Sequence, residues 1–151
     1  PQTLYDYPCN QFVAGFIGSP QMNFVDAKCK VVGNKVYLVA GPSEIELPPA
    51  KAKKLIDGGY EGKTVVLGIR PEDVHDEQMF IEASPSAPMT SVVKVYELLG
   101  AEVFLYFDVN GTQVTARVDP RTTAKTGDPI RFAFDMEKAH FFDKETEKTV
   151  Y

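Results

Sequence analysis

Residues 57–64, DGGYEGKT, come nearest to a nucleotide site. A phosphate-cradling loop reads Gly, four residues, Gly, Lys, then Ser or Thr. Gly62, Lys63 and Thr64 fit, but Asp57 stands where the first Gly belongs. The context is also reversed. A working loop follows a strand and opens a helix, so that helix N-terminal amides face phosphate. Here the glycines close a helical pattern and open an apolar strand, so a helix end followed by a turn is the better reading.

The remaining reactive residues are few. His75 and His140 are the only histidines, and no Gly-Xaa-Ser-Xaa-Gly turn is present. Nothing therefore matches a nucleophile, base and orienting carboxylate. His75 lies in PEDVHDE, whose four carboxylates could hold a hard cation weakly. The spacing of a calcium loop is absent, and a solvated acidic turn is the expected state. His140 sits in an apolar strand pattern and reads as structural. Cys9 and Cys29 have no metal-ligand spacing and suit a reducing cytoplasm. Catalytic, cofactor-binding and metal-ligating residues are accordingly expected to be absent.

IRPED, residues 69–73, is more informative. Arg70 ends an apolar run, and Pro71 stops ladder pairing. An Arg fixed there can pair with Glu72, with Asp73 or with a partner's carboxylate. An internal pair organising the turn is the favoured reading from the residues alone. ELLGAEVF, residues 97–104, places Gly100 between two strands and Glu102 just after it. The Gly serves either a bulge or turn, or a corner at a subunit contact, and nothing local separates the two.

These corners need a frame. The 151 residues carry a net charge of -5, so nucleic acid is not an expected partner. No apolar run approaches the length of a bilayer span. Asn10 is a plausible cap for a helix near residues 10–18, and Phe12, Val13, Phe16 and Ile17 form its apolar stripe. From residue 24 the pattern turns to strands. FVDAKCKVV and KVYLVA flank Gly33-Asn34, a hairpin signal. SEIELP is a short strand, and Pro48-Pro49 opens a helix with Ala52, Leu55 and Ile56 on one side. TVVLGIRP is a strand and MFIEAS a candidate edge strand. SPSAP, residues 84–88, is the best internal joint. Val103, Leu105, Phe107 and Val109 then alternate, Asn110-Gly111 turns the chain, and TQVTARV, PIRFAFD and AHFFD follow. Short strands with frequent turns predict a mainly β fold of OB-like β-barrels with one short helix, plus the N-terminal helix. The second barrel is expected from about residue 85.

The order of motifs resembles the C-terminal part of the ATPase subunit of bacterial carbohydrate importers of the ATP-binding-cassette type, the maltose and multiple-sugar importers in particular. LYDYPCNQFVAGFIGSPQMNF, residues 4–24, is similar to the end of that family's ATPase domain. LGIRPED resembles the motif of its regulatory domain, of the transport-associated OB (TOBE) type, and VYELLGAEVFLYF, TARVDP and AHFFDKET follow in order. The resemblance implies that residues 1–23 are the tail of an ATP-binding domain and 24–151 a regulatory and dimerisation domain. A start at Pro1 rather than Met agrees with a fragment. ATP and Mg are then expected only in the domain upstream. The implied partners are a second copy, the chain's own ATPase domain and the membrane subunits, at the inner face of the cell membrane. In some members a regulatory protein of the sugar phosphotransferase system also binds. Arg70, Glu72, Asp73, Gly100 and Glu102 become candidate interface residues. Phe12, Val13, Phe16 and Ile17 become candidate contacts to the ATPase domain or to a second copy. The alternative is a small-ligand module for an oxyanion or an oligosaccharide.

Overall fold

The computed structural model describes residue 10 and residues 21–151. The helix expected near residues 10–18 lies outside them, apart from Asn10, which makes an isolated antiparallel bridge with Lys148. Eleven strands and two short α-helices follow among the described residues. The first sheet holds β1 (Asn23–Val32), β2 (Lys35–Ala40), β3 (Ser43–Glu46), β4 (Thr64–Ile69) and β11 (His140–Asp143), in the order β11-β4-β1-β2-β3. The second holds β5 (Val74–His75), β10 (Pro129–Phe134) and β6 (Met89–Val92), in the order β5-β10-β6. The third is the meander β7 (Val95–Leu99), β8 (Glu102–Val109) and β9 (Thr112–Val118).

No sheet closes into a barrel, which corrects the expected architecture. Closure needs a last strand free to pair with the first. The outer edge of β11 is already taken by the returning C-terminus: Asp143 N–H donates to Lys148 O and Val150 N–H to Phe141 O, both at 2.8 Å. At the other edge β3 has four residues and runs at once into Pro48-Pro49, which have no N–H to extend a ladder. The two three-stranded sheets, which hold most of the strands after residue 85 together with β5, stay open as well.

Helix α1 (Pro49–Asp57) starts on that proline pair and buries Lys51, Ala52 and Leu55. Ile56, expected in its stripe, is exposed. The second helix, α2 (Gln78–Ala83), stands where MFIEAS was read as an edge strand. The segment has only one β-branched residue, Ile81, and strong helix formers around it. Ile81 is buried while Met79, two residues away, is 84% exposed, so no face of a strand would be served.

The hairpins match the sequence. β1 pairs with β2 from Lys28↔Val39 to Val32↔Lys35. Val103, Leu105, Phe107 and Val109 of β8 are buried, as are Val114, Ala116 and Val118 of β9. Asn110 and Gly111 both take positive φ at their turn, the geometry that favours Asn-Gly there. One apolar cluster runs through all three sheets, from Val25 and Leu67 to Leu105, Phe107 and Phe132.

Candidate functional site

The glycine-rich stretch after α1 is a helix end. Gly58 N–H donates to Lys54 O, Gly59 N–H to Ile56 O and Tyr60 N–H to Leu55 O, each at 3.0 Å. Lys63 N–H donates to Tyr60 O, and β4 begins at Thr64. The order is helix, turn, strand, so Lys63 follows a helix end rather than opening a helix.

β4 delivers the IRPED corner. Residues Val65–Ile69 are buried along its length, and Arg70 is also buried, at 5% exposure. It is engaged within the fold. A 3-10 turn, Pro71–Asp73, follows, with Asp73 N–H donating to Arg70 O at 2.9 Å. Asp73 is half-buried, and removal from water, reinforced by Glu72, pushes its carboxyl up to about 6.

The LLGAE corner is the turn between β7 and β8. Gly100 has φ +63°, and no atom lies within 4 Å of where a Cβ would stand. Backbone conformation, not close packing, calls for glycine there. Glu102 Oε2 lies 3.7 Å from Arg117 Nη1 on the neighbouring strand.

The two corners meet. The 3-10 turn packs against β9, and Glu72, Glu102 and Ala101 line one open concavity of about 490 Å³ with His75, Glu77 and Asp119. Its cations are already committed. Arg117 faces Glu102, and Arg121 grips Asp119 through Nε and Nη2, both at 3.0 Å. The surface is therefore acidic. Phe12, Val13, Phe16 and Ile17 lie outside the described residues.

Three positions escaped the sequence reading. Asn23 joins β1 to β9 through its side chain. Lys51, buried at 4% exposure, donates to Glu137 O and Ala139 O and lies over the Tyr151 ring at 4.8 Å. Asp135 stands beside Asp73 although 62 residues separate them in sequence. The only available signal was a polar residue inside or beside an apolar run, and that does not name a partner.

Residues 67–142 match the TOBE domain family. The chain belongs to that family. Residues 18–74 of this TOBE chain match the MalK OB fold domain, and the residues shared by the two matches, 67–74, hold the IRPED corner. The TOBE chain is 42% identical over 147 residues to the oligosaccharides import ATP-binding protein MsmX of Bacillus subtilis, covering 97% of the chain and 39% of the relative. It is 40% identical over 151 residues to the multiple sugar-binding transport ATP-binding protein MsmK of Streptococcus mutans, covering 99% and 39%. It is 36% identical over 152 residues to the trehalose/maltose import ATP-binding protein MalK of Thermococcus litoralis, covering 100% and 40%. The TOBE chain thus spans about two fifths of the length of these relatives. Among solved structures it is similar to the cytoplasmic molybdate-binding protein ModG, with a TM-score of 0.57 and 16% identity, covering 79% of this chain and 94% of that one. At that identity the likeness concerns fold. The OB-plus-TOBE pairing is a non-catalytic module of the kind found in sugar-import ATP-binding subunits.

Proposed function

We propose that this TOBE chain is the regulatory and dimerisation part of the ATP-binding subunit of a maltose or multiple-sugar type importer, in a protein that couples ATP hydrolysis to carbohydrate uptake. The observation that carries the reading is the near-complete alignment with three sugar-import ATP-binding proteins, of which the chain spans only about two fifths. ATP and Mg would then be bound outside residues 1–151. Residues 1–23 would be the tail of the ATP-binding domain, with Phe12, Val13, Phe16 and Ile17 on that domain or on a second copy. Residues 24–151 would be the regulatory domain, with a second subdomain from about residue 85.

The contact between two copies is placed at the concavity where the IRPED and LLGAE corners meet. Gly100 shapes it, Glu72 and Glu102 line it, and Arg70 and Asp73 hold its turn. The edge strand β7 supports this choice. It ends at Leu99, just before Gly100, with Leu98 and Leu99 more than half exposed, and an apolar strand edge is a ready pairing surface. The further partners of this reading are the transporter's membrane subunits, at the cytoplasmic face of the membrane, and a phosphotransferase-system regulatory protein. An oxyanion-binding module is the second reading, supported by the ModG likeness in fold and opposed by the acidic lining of the concavity.

The test uses the polypeptide of the complete reading frame, with and without residues 24–151. The complete protein should hydrolyse ATP and sediment as a dimer, and the truncated one should dimerise more weakly. Equal dimerisation of both would refute the assigned role.

A further inference from the structure

Asp73, His75 and Asp135 each present a donor atom within 4.8 Å of the other two. The backbone enforces this meeting. β5 and β10 pair at Ala133↔His75 and Phe134↔Val74, and Asp135 N–H donates to Asp73 O at 2.8 Å. Asp73 ends the 3-10 turn and His75 lies two residues on in β5, and Asp135 sits across from Asp73. The His75 ring is held in place. It stacks on Phe80 at 4.0 Å and 17°, and Glu77 Oε2 lies 2.9 Å from its Nδ1.

Two carboxylates fixed side by side repel, and among the described residues neither Asp73 nor Asp135 has a Lys or Arg in ion-pair contact. Lys138 and Lys51 act on the carboxylates only at longer range. The side chain of Asp135 accepts from Glu137 N–H at 3.2 Å, which leaves carboxylate lone pairs unused. We propose that Asp73, His75 and Asp135 form a binding site for a divalent transition-metal ion of the zinc or manganese class, at the seam between β5 and β10. An imidazole with two carboxylates is a donor set for such ions rather than for calcium or magnesium, which take oxygen. Two ligands of one tetrahedral zinc ion stand about 3.4 Å apart, so side-chain rotation must draw the three donor atoms closer together to close the site. The ion would neutralise the like-charge pair and tie the 3-10 turn to the end of β10. This site does not depend on the proposed role in transport. PEDVHDE alone offered only local carboxylates, and the ligand that completes the set comes from a different strand.

The experiment titrates the chelator-stripped chain with zinc chloride, and separately with manganese chloride, by calorimetry. One ion per chain is expected. His75→Gln and Asp135→Asn, the latter retaining an oxygen for Glu137 N–H, should each weaken binding by about tenfold or more. Absence of saturable binding at millimolar metal overturns the proposal, as does unchanged affinity in both variants. A measurement on the unaltered chain guards against variants that misfold: manganese should broaden the NMR signals of the His75 ring first. Broadening centred elsewhere also overturns the site.

Discussion

Asn23 and Thr115, 92 residues apart in sequence, exchange two hydrogen bonds: Asn23 Nδ2 donates to Thr115 O and Thr115 N–H donates to Asn23 Oδ1, both at 2.8 Å. The side-chain amide thus imitates a strand's peptide group and fastens the first sheet to the third. Asn23 is itself buried, at 7% exposure, so neither group of Thr115 has water as a ready substitute. Asn23→Ala should cost about 2–3 kcal/mol, because a buried donor and acceptor lose their partner together. Asn23→Asp keeps the acceptor and loses the donor, but puts a charge there, so it should also destabilise. Urea unfolding of the three chains checks this, and equal midpoints would show that the clasp contributes nothing.

Two glycines should respond differently. A Cβ on Gly68 would stand 2.6 Å from Met22 Sδ and 2.8 Å from Phe142 Cε2. Phe142 is fully buried and cannot yield, so Gly68→Ala should cost about 1–3 kcal/mol through overpacking. Gly100→Ala meets open space but must hold φ +63°, a cost of about 1 kcal/mol. Thermal melts should rank Gly68→Ala below Gly100→Ala, and the reverse order would contradict the packing described.

Burial lowers the Lys51 ammonium to about 8, against smaller opposing effects of Glu137, Asp135 and Asp73. The folded chain therefore releases this proton before the unfolded chain does. Between about 8 and the ordinary lysine value the unfolded state binds more protons, so this group's contribution to stability rises with pH. The natural chain should gain stability relative to Lys51→Met from pH 8 to pH 10. A difference that stays flat would mean the amine titrates as it does in water.

The chain should bind neither ATP nor molybdate. Lys63 follows a helix end rather than opening a helix, and the concavity at residues 72–121 is lined by Glu72, Glu77, Glu102 and Asp119. Calorimetry with each ligand should show only heats of dilution. Saturable ATP binding abolished by Lys63→Ala would reverse the reading of residues 57–64.

Local pattern carried the hairpins. Alternation over residues 103–118, with Asn110-Gly111 at the turn, fixes pairing, facing and turn together. Pattern failed at α2, where six residues with a single β-branched side chain were too few to separate helix from strand. It failed again over barrel closure, because closure depends on what occupies a strand's edge. That edge is filled at β11 by residues 148–150, which carry no pattern of their own. The corners were legible one at a time, from Pro71 and Gly100. Their meeting was not, since Glu72 and Glu102 are joined only by the packing of the 3-10 turn on β9. Arg70 was better served by local reasoning: the residues alone favoured an internal pair over a partner's carboxylate, and the side chain is buried and engaged.

The central claim is that two copies of this module meet at the acidic concavity beside β7. Sedimentation equilibrium over a wide concentration range tests it most directly, with Leu98→Lys and Leu99→Lys as variants. Arg70 is left unaltered, because replacing a buried arginine would test folding instead. The natural chain should rise from one chain's mass toward two as concentration increases, while both variants keep the natural circular dichroism and stay at one. A natural chain that remains monomeric throughout, or variants that associate as strongly as it does, would contradict the account.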